Sequence, residues 1–214
     1  NYIDKNVYKK IKDEEIILKK RKEIYLEDTQ YYVEDVRKNI VDQLGFDSVY
    51  KKGLNIKTPI NLKLQRIATK ALRDGLIDYD KRKGWRGPIT NKKFFKNWDK
   101  DLDKFKVEKS INWQLAIVKK IKKFSLEIQT EDKLEGIINY ENISWTKKEF
   151  TELFKVGDVI YVENIKDKKY SLRQLPKVNG GIVVMDPYTG RVLALSGGFS
   201  FKKSEFNRAT QAAR

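Results

Sequence analysis

The stretch GGIVVMDPYTGRVLALSGGFSFKKSEFNRATQAAR, residues 180–214, decides how the rest of the chain is read. Residues 181–186 and 191–196 are two short, mostly apolar runs, and Asp186-Pro187-Tyr188-Thr189-Gly190 lies between them. Asp opens tight turns, Pro187 presets φ, and Gly190 can take a positive φ without a steric cost. The pattern predicts a β-hairpin over 182–196, ended by Gly197-Gly198. A two-stranded hairpin is marginal alone in water, so this one is expected to be part of a larger sheet. The chain stops at Arg214 with no closing element in view.

Further back, from Asn112, the apolar period becomes that of strands. Residues 113–118 come first, and 124–128 alternate strictly between apolar and polar. After a turn at Glu131-Asp132 come 134–138 and 143–145, and after Val156-Gly157-Asp158 come 159–162 and 170–173. A short helix is expected at 147–154. Five short antiparallel strands in about sixty residues are most economically closed into a small barrel, because closure removes exposed edges. The order of a strand with a central Gly136, the Trp145 segment, a short helix, Val-Gly-Asp and another strand resembles an OB-fold. Ahead of these strands, residues 91–106 read as an irregular helix with Phe94, Phe95, Trp98, Leu102 and Phe105 as its apolar stripe.

The first ninety or so residues read mainly as helix. Ile3, Val7 and Ile11 recur every fourth position, and Ile16-Ile17-Leu18 are the only other apolar anchors before residue 22. Lys9, Lys10, Lys12 and the run Lys19-Lys20-Arg21-Lys22 read as a solvated face rather than a phosphate or lipid contact. Asp28 or Thr29 can cap a helix carrying Tyr32, Val33, Val36, Ile40 and Leu44, which Gly45 stops. Glu34 and Asp35 are adjacent, so they point apart and belong to the surface. Residues 53–58 alternate, with Leu54 and Ile56 on one face, and predict a strand that Pro59 ends. That strand is expected to pair with the 182–196 hairpin, making the barrel an insertion between two parts of one sheet. Asn61 then caps a helix over 62–82, with Leu64, Ile67, Ala68, Ala71, Leu72 and Tyr79 as its stripe. Lys81-Arg82-Lys83 before Gly84 suit its C-terminal dipole.

Composition narrows the chemistry. Of 214 residues 40% are hydrophobic and 36% charged, and 46 Lys+Arg against 30 Asp+Glu leave a net charge of +16. Such a balance admits nucleic acid, an anionic membrane surface or an acidic polymer as partner, although the lysines are spread along the whole chain. With no Cys and no His, disulfides, thiol nucleophiles, zinc-thiolate sites and imidazole bases are excluded from this sequence. No apolar run has the length of a membrane-spanning helix, and residues 1–20 lack the apolar core of a signal peptide. The beginning without Met fits an excised piece whose membrane anchor would lie upstream.

Four stretches carry a resemblance. SEFNRATQAAR (204–214), YYVEDVRKNIVDQLG (31–45), GLNIKTPINLKLQRIATKAL (53–72) and YDKRKGWRGPI (79–89) are similar to segments of class A penicillin-binding proteins of the 1A type. Asn61 stands where that family usually has Asp, and both residues cap helices. The resemblance implies an α+β chain: a small OB-like antiparallel β-barrel inserted beside helices and a partial antiparallel sheet from a transpeptidase domain. It divides the chain into a helical linker after a glycosyltransferase domain (1–52) and a strand and long helix at the transpeptidase border (53–88). An OB-like domain (89–178) and the truncated N-terminal hairpin of the transpeptidase domain (179–214) follow. In that family SEFNRATQ-like sequence leads within a few residues to the Ser-x-x-Lys motif of the acylated serine, which is expected beyond Arg214. What is implied is a non-catalytic piece of a bifunctional peptidoglycan synthase, on the periplasmic side of the inner membrane in the cell envelope. It would position the catalytic domains and dock regulators of peptidoglycan synthesis or other envelope proteins. Peptidoglycan or its lipid-linked precursor would be met only through the parent enzyme, and the membrane only through the parent's anchor.

The rival reading is a basic OB-type module for single-stranded nucleic acid, with Trp113, Phe124, Trp145, Tyr161 and Tyr170 as its stacking residues. Aromatics at alternating strand positions are more often core, and the acidic residues Glu127, Glu131, Asp132, Glu135, Glu141, Glu149, Glu152, Asp158 and Glu163 interrupt any basic stripe. Asp99 with Asp101 or Asp103 reads as a solvated group rather than a catalytic pair. Gly180-Gly181 and Gly197-Gly198 are too short for phosphate-binding loops. The sequence therefore assigns no catalytic, cofactor-binding or metal-ligating residue and no cofactor.

Overall fold

The computed structural model describes residues 4–12, 28–92 and 97–213. In chain order its helices are α1 (Lys5–Ile11), α2 (Gln30–Leu44), α3 (Phe46–Lys51), α4 (Leu62–Lys81) and α5 (Phe150–Leu153). Its strands are β1 (Thr90–Asn91), β2 (Trp113–Ile121), β3 (Ser125–Thr130), β4 (Glu135–Asn139), β5 (Asp158–Lys166), β6 (Lys169–Arg173), β7 (Ile182–Met185) and β8 (Val192–Ser196). The anchors at 16–18, the basic run 19–22, and Phe94 and Phe95 lie outside the described residues.

The apolar runs after Asn112 close into a barrel. Its sheet order is β1-β5-β2-β3-β4-β6, and a further β5–β6 pairing joins the ends. All pairs are antiparallel except β4–β6, the parallel contact at Ile137 and Lys169. The expected barrel is thus present, with a parallel seam where antiparallel pairing alone was expected. Residues 143–145 form no strand: 3₁₀ turns at Tyr140–Asn142 and Ser144–Thr146 bring Ile143 into the barrel core, fully buried. The reason is local, since Lys147 at φ 58° ends the second turn and breaks extended pairing. Residues 97–105 likewise hold turns and a 3₁₀ segment at Asp103–Phe105 rather than an α-helix, because Asn97 and Asp101 both take positive φ. Trp98 and Leu102 are nevertheless buried, as their apolar spacing required.

Gly136 shows why the barrel closes so tightly. A Cβ there would lie 2.3 Å from the ring of Tyr170 on β6, so only glycine lets that ring cross the strand.

β2 is buried on both faces. Ala116 and Val118 point into the barrel with Leu126, Ile128, Ile138, Ile160, Val162 and Leu172. Leu115 and Ile117, with Val159 and Tyr161 of β5, join an outer core of Trp98, Leu102, Ile111 and Phe199, against which Leu76 and Ile77 of α4 pack. Such two-sided burial explains a run without clean alternation, as in strands covered on both faces.

The hairpin β7–β8 forms as the turn residues dictate. Tyr188 N–H and the Thr189 hydroxyl donate to the Asp186 carboxylate, and Gly190 sits at φ 70°. It is a two-stranded sheet by itself, which corrects the expected pairing with residues 54–58. Those residues form no strand, with Leu54 and Ile56 over 40% exposed. The physical reason is that the helix N-terminus takes the edge of β8: Asn61 N–H donates to Leu193 C=O at 2.8 Å, and the Gln65 amide both donates to and accepts from Leu195 at 2.9 Å. A side chain thus supplies the bonds that a strand would have made.

Asn61 and Gly45 form helix boundaries as predicted, whereas Thr29 precedes α2 without a side-chain cap bond. Asn61 Oδ1 accepts from the N–H groups of Lys63 and Leu64, and Gly45 at φ 79° both ends α2 and opens α3. Their faces differ from the apolar stripes, however. Ile67 and Tyr79 of α4 and Val33 and Leu44 of α2 are exposed, while Gln65, Thr69 and Asp80 are buried. The buried face of α4 is selected by hydrogen bonds to its neighbours.

With one thin sheet and a polar seam, the hairpin is expected to open before the barrel. Native-state hydrogen exchange should protect amides of 115–118 and 160–162 more strongly than those of 182–195. Equal or inverted protection would remove this ranking.

Candidate functional site

The site the structure builds is a junction, where helix α4, the barrel and the hairpin meet around a few buried polar side chains. Asp80, in the last turn of α4, is 3% exposed. Its carboxylate accepts from the Arg86 guanidinium at 2.8 Å, the Gln174 amide at 2.8 Å and the Lys177 N–H at 3.1 Å. Arg86 lies on the chain entering the barrel, and Gln174 and Lys177 on the chain leaving it. One carboxylate therefore clamps both ends of the barrel to one helix. Burial alone would raise its pKa, but the Arg86, Gln174 and Lys177 bonds outweigh that and hold it below the usual Asp value,. Arg86 also donates to Leu175 C=O, and Gln174 accepts from Arg86 N–H.

A second clamp lies near the hairpin. Arg73, seven-eighths buried at its side chain, pairs with Asp28 at 2.8 Å and donates to Ser110 Oγ at 3.1 Å and Phe199 C=O at 3.0 Å. It thereby ties the segment before α2, the approach to β2 and the end of β8 to α4. Glu108 adds to this by accepting from the Ser200 hydroxyl at 2.6 Å and Lys202 N–H at 2.8 Å. The Tyr31 hydroxyl donates to Ser204 C=O at 2.6 Å, and burial pushes its pKa up to about 12. Between α4 and β2–β5 runs a cleft of about 660 Å³, in which Arg66, Lys81 and Arg173 alternate with Asp74, Asp78 and Glu163. Burial, then Arg173, lowers the Lys81 pKa, and Arg173 itself bonds Glu163 at 2.6 Å. The cleft's charges are largely balanced within the chain, as suits an internal seam. Sequence reading missed these clamps because Gln65, Arg73, Asp80 and Arg86 look like surface residues of a charged chain. The signal in the sequence was the YDKRKGWRGP stretch itself, whose Asp80 and Arg86 become partners.

The chain also holds three internal Ser-x-x-Lys spacings: Ser48/Lys51, Ser144/Lys147 and Ser200/Lys203. A serine nucleophile needs a base against its hydroxyl. Ser48 and Lys51 sit on exposed α3, where Lys51 pairs with Asp47. The Ser144 hydroxyl donates to Glu141 C=O. The Ser200 hydroxyl is buried against Glu108, while Lys203 Nζ donates to Lys104 C=O. None is arranged as a nucleophile with its base.

The aromatics of the nucleic-acid reading do not form a platform. Trp113, Tyr161 and Tyr170 are buried, Trp145 packs edge-on against Trp85, and only Phe124 is open to solvent. Asp99, Asp101 and Asp103 are exposed, and among the described residues no Asp/Glu group is clustered to hold a metal. No helix among them is long and apolar enough to cross a membrane.

Comparison with known proteins fits this architecture. Residues 85–178 match the family model described as the penicillin-binding protein OB-like domain. Penicillin-binding protein 1A of Rickettsia felis is 38% identical over the whole chain, which spans 27% of that relative's length. Penicillin-binding protein 1A of Escherichia coli K12 is 33% identical over 86% of the chain and 23% of its own length. The crystal structure of penicillin-binding protein 1A from Haemophilus influenzae superposes on 98% of the chain with a TM-score of 0.76 at 31% identity, over 31% of its own length.

Two outcomes test the site. Asp80→Ala removes the shared acceptor of Arg86, Gln174 and Lys177 and should cost about 2 kcal/mol in urea unfolding,. Because the carboxyl's folded pKa is depressed, its stabilisation is present above the unfolded Asp value and lost as pH falls through the folded one, so Asp80→Asn should flatten acid unfolding below about pH 4. An unchanged midpoint and acid profile would remove the clamp. Second, the chain should take up no covalent fluorescent penicillin; a β-lactam-competable adduct mapped to Ser48, Ser144 or Ser200 would overturn that.

Proposed function

Because the chain belongs with the penicillin-binding proteins of the 1A type and carries their OB-like domain, we propose that it is the connecting segment of a bifunctional peptidoglycan synthase. In that role it contributes no catalytic residue. It sets the geometry between a glycosyltransferase domain and a D,D-transpeptidase domain, and the barrel offers a docking surface to regulators of cell-wall synthesis. The setting is the cell envelope, on the periplasmic side of the inner membrane.

The observation that carries this reading is the Asp80 clamp. A 94-residue module leaves α4 at Trp85 and returns to the same helix turn at Lys177, and its outer core packs against α4 and Phe199. A module held at both ends and along one side cannot swing freely. A load on the barrel is therefore passed to α4 and, through Gln65, to β8, the strand that opens the hairpin side. Buried, hydrogen-bonded contacts of this kind transmit displacement because packed interiors deform little.

The test uses the full-length synthase with Asp80→Ala and Arg86→Ala together. Glycan polymerisation should persist while peptide crosslinking falls by roughly tenfold, since small misplacements are costly in catalysis. If both activities stay at their original level, or fall together in step with the amount of folded enzyme, the positioning role is wrong.

A further inference from the structure

The β2–β3 end of the barrel carries a feature the positioning role does not use. The β2–β3 turn reads Lys119-Lys120-Ile121-Lys122-Lys123-Phe124, with four lysines in five residues ahead of a phenylalanine. Phe124 is 70% exposed, among the most open large apolar side chains of the described residues. Lys123 Nζ lies 5.3 Å above its ring, and Lys122 pairs with Glu127. Tyr140, which follows the β4 residue paired with Ser125, is 46% exposed, and Val156, next to Gly157 whose N–H donates to Val118 C=O, is 51% exposed. Lys92 and Lys155 flank Val156. At the opposite end of β2, Trp113 packs on Phe199 at 5.4 Å. The nine residues of β2 therefore hold the tip roughly 27 Å from the hairpin side,.

Position matters more here than charge count. A net charge of +16 favours any anionic surface, but at this turn an exposed ring stands directly among the lysines. A protein partner would need both an apolar socket and an acidic rim. Single-stranded nucleic acid needs a groove with several stacking rings, whereas the sheet-face aromatics are buried. An anionic bilayer offers a penetrable apolar layer beneath a negatively charged headgroup plane. It suits one ring ringed by long cationic side chains, which can extend their ammonium groups to the phosphates.

We propose that the β2–β3 turn is a membrane-contacting tip: Phe124 enters the interface of an anionic phospholipid bilayer while Lys120 and Lys123 engage lipid phosphates. The opposite β5–β6 turn does not repeat this. It also has an exposed residue, Ile165, but Asp167 interrupts its lysines, and Glu131, Asp132 and Glu163 lie at that end. The inference goes beyond the connecting role and stands or falls separately from it.

The absence of cysteine makes the test direct. Phe124→Cys and, as control, Lys168→Cys are each labelled with an environment-sensitive fluorophore and mixed with phosphatidylcholine vesicles, with and without phosphatidylglycerol, at near-physiological salt. The label at 124 should brighten and shift to the blue only on the anionic vesicles, and the label at 168 should not respond. In unlabelled protein, Lys120→Gln with Lys123→Gln should weaken vesicle partitioning roughly twenty-five-fold, at about fivefold per lysine. Phe124→Ser should weaken it further than any substitution at Ile165. The two labels responding alike, or Lys166→Gln with Lys168→Gln costing as much, would mean diffuse electrostatic binding and overturn the proposal. So would an equal response at 124 to polyglutamate or to a single-stranded oligonucleotide without lipid.

Discussion

Everything in this structure depends on residues 115–118 of strand β2 having no solvent face. Its inward residues close the barrel, and its outward residues, with those of β5, form the floor on which α4, the 97–111 segment and Phe199 rest. Each fully buried Leu, Ile or Val there is worth about 2 kcal/mol of transfer free energy. The same strand therefore stabilises the barrel and fastens it to its neighbours. Loosening one contact cannot be done without exposing the other, and that coupling is what turns a small barrel into a rigid spacer.

Around this apolar weld, the chain spends polar groups on direction rather than on strength. Gln65, Arg73 and Asp80 are withdrawn from water and fully partnered. Replacing such groups with well-packed apolar ones is often neutral or stabilising, so their use here fits a requirement for one orientation. An apolar α4 could slide or rotate over β8. With Gln65 bonded to both backbone groups of Leu195, it cannot move without breaking two hydrogen bonds at once.

Much of this was legible in the residues. The hairpin at 182–196 followed from Asp186, Pro187 and Gly190, the OB-like barrel from alternating runs around Gly136, and the start of α4 from Asn61. What could not be read was whatever depended on a distant partner. Residues 54–58 have a strand's pattern but meet no free edge, because Gln65 occupies it. Residues 143–145 are as apolar as a strand, yet they serve as a plug. The exposed faces of α2 and α4 look like cores by periodicity, since Val33, Ile67 and Tyr79 lie on them. The clamps were hidden for the converse reason: in a chain with 36% charged residues, a buried Asp resembles all the others until its three donors are in place. The nucleic-acid reading is not favoured because of its rings only Phe124 is open to solvent, the others being committed to the two cores.

The bond between Gln65 and Leu195 spans 130 residues of chain, and that separation has a kinetic meaning. Bringing such distant residues together from a disordered chain is entropically unfavourable and slow. Once the OB-like domain, residues 85–178, has folded with its ends adjacent at Asp80, the effective loop shrinks to about 36 residues. By the logarithmic loop law this removes roughly 1 kcal/mol of closure entropy. On the ribosome α4 emerges first, the barrel next and β8 last. The barrel's own folding thus prepares the encounter of the two segments it separates, and the domain acts as an intramolecular template for its hosts before it acts as anything else.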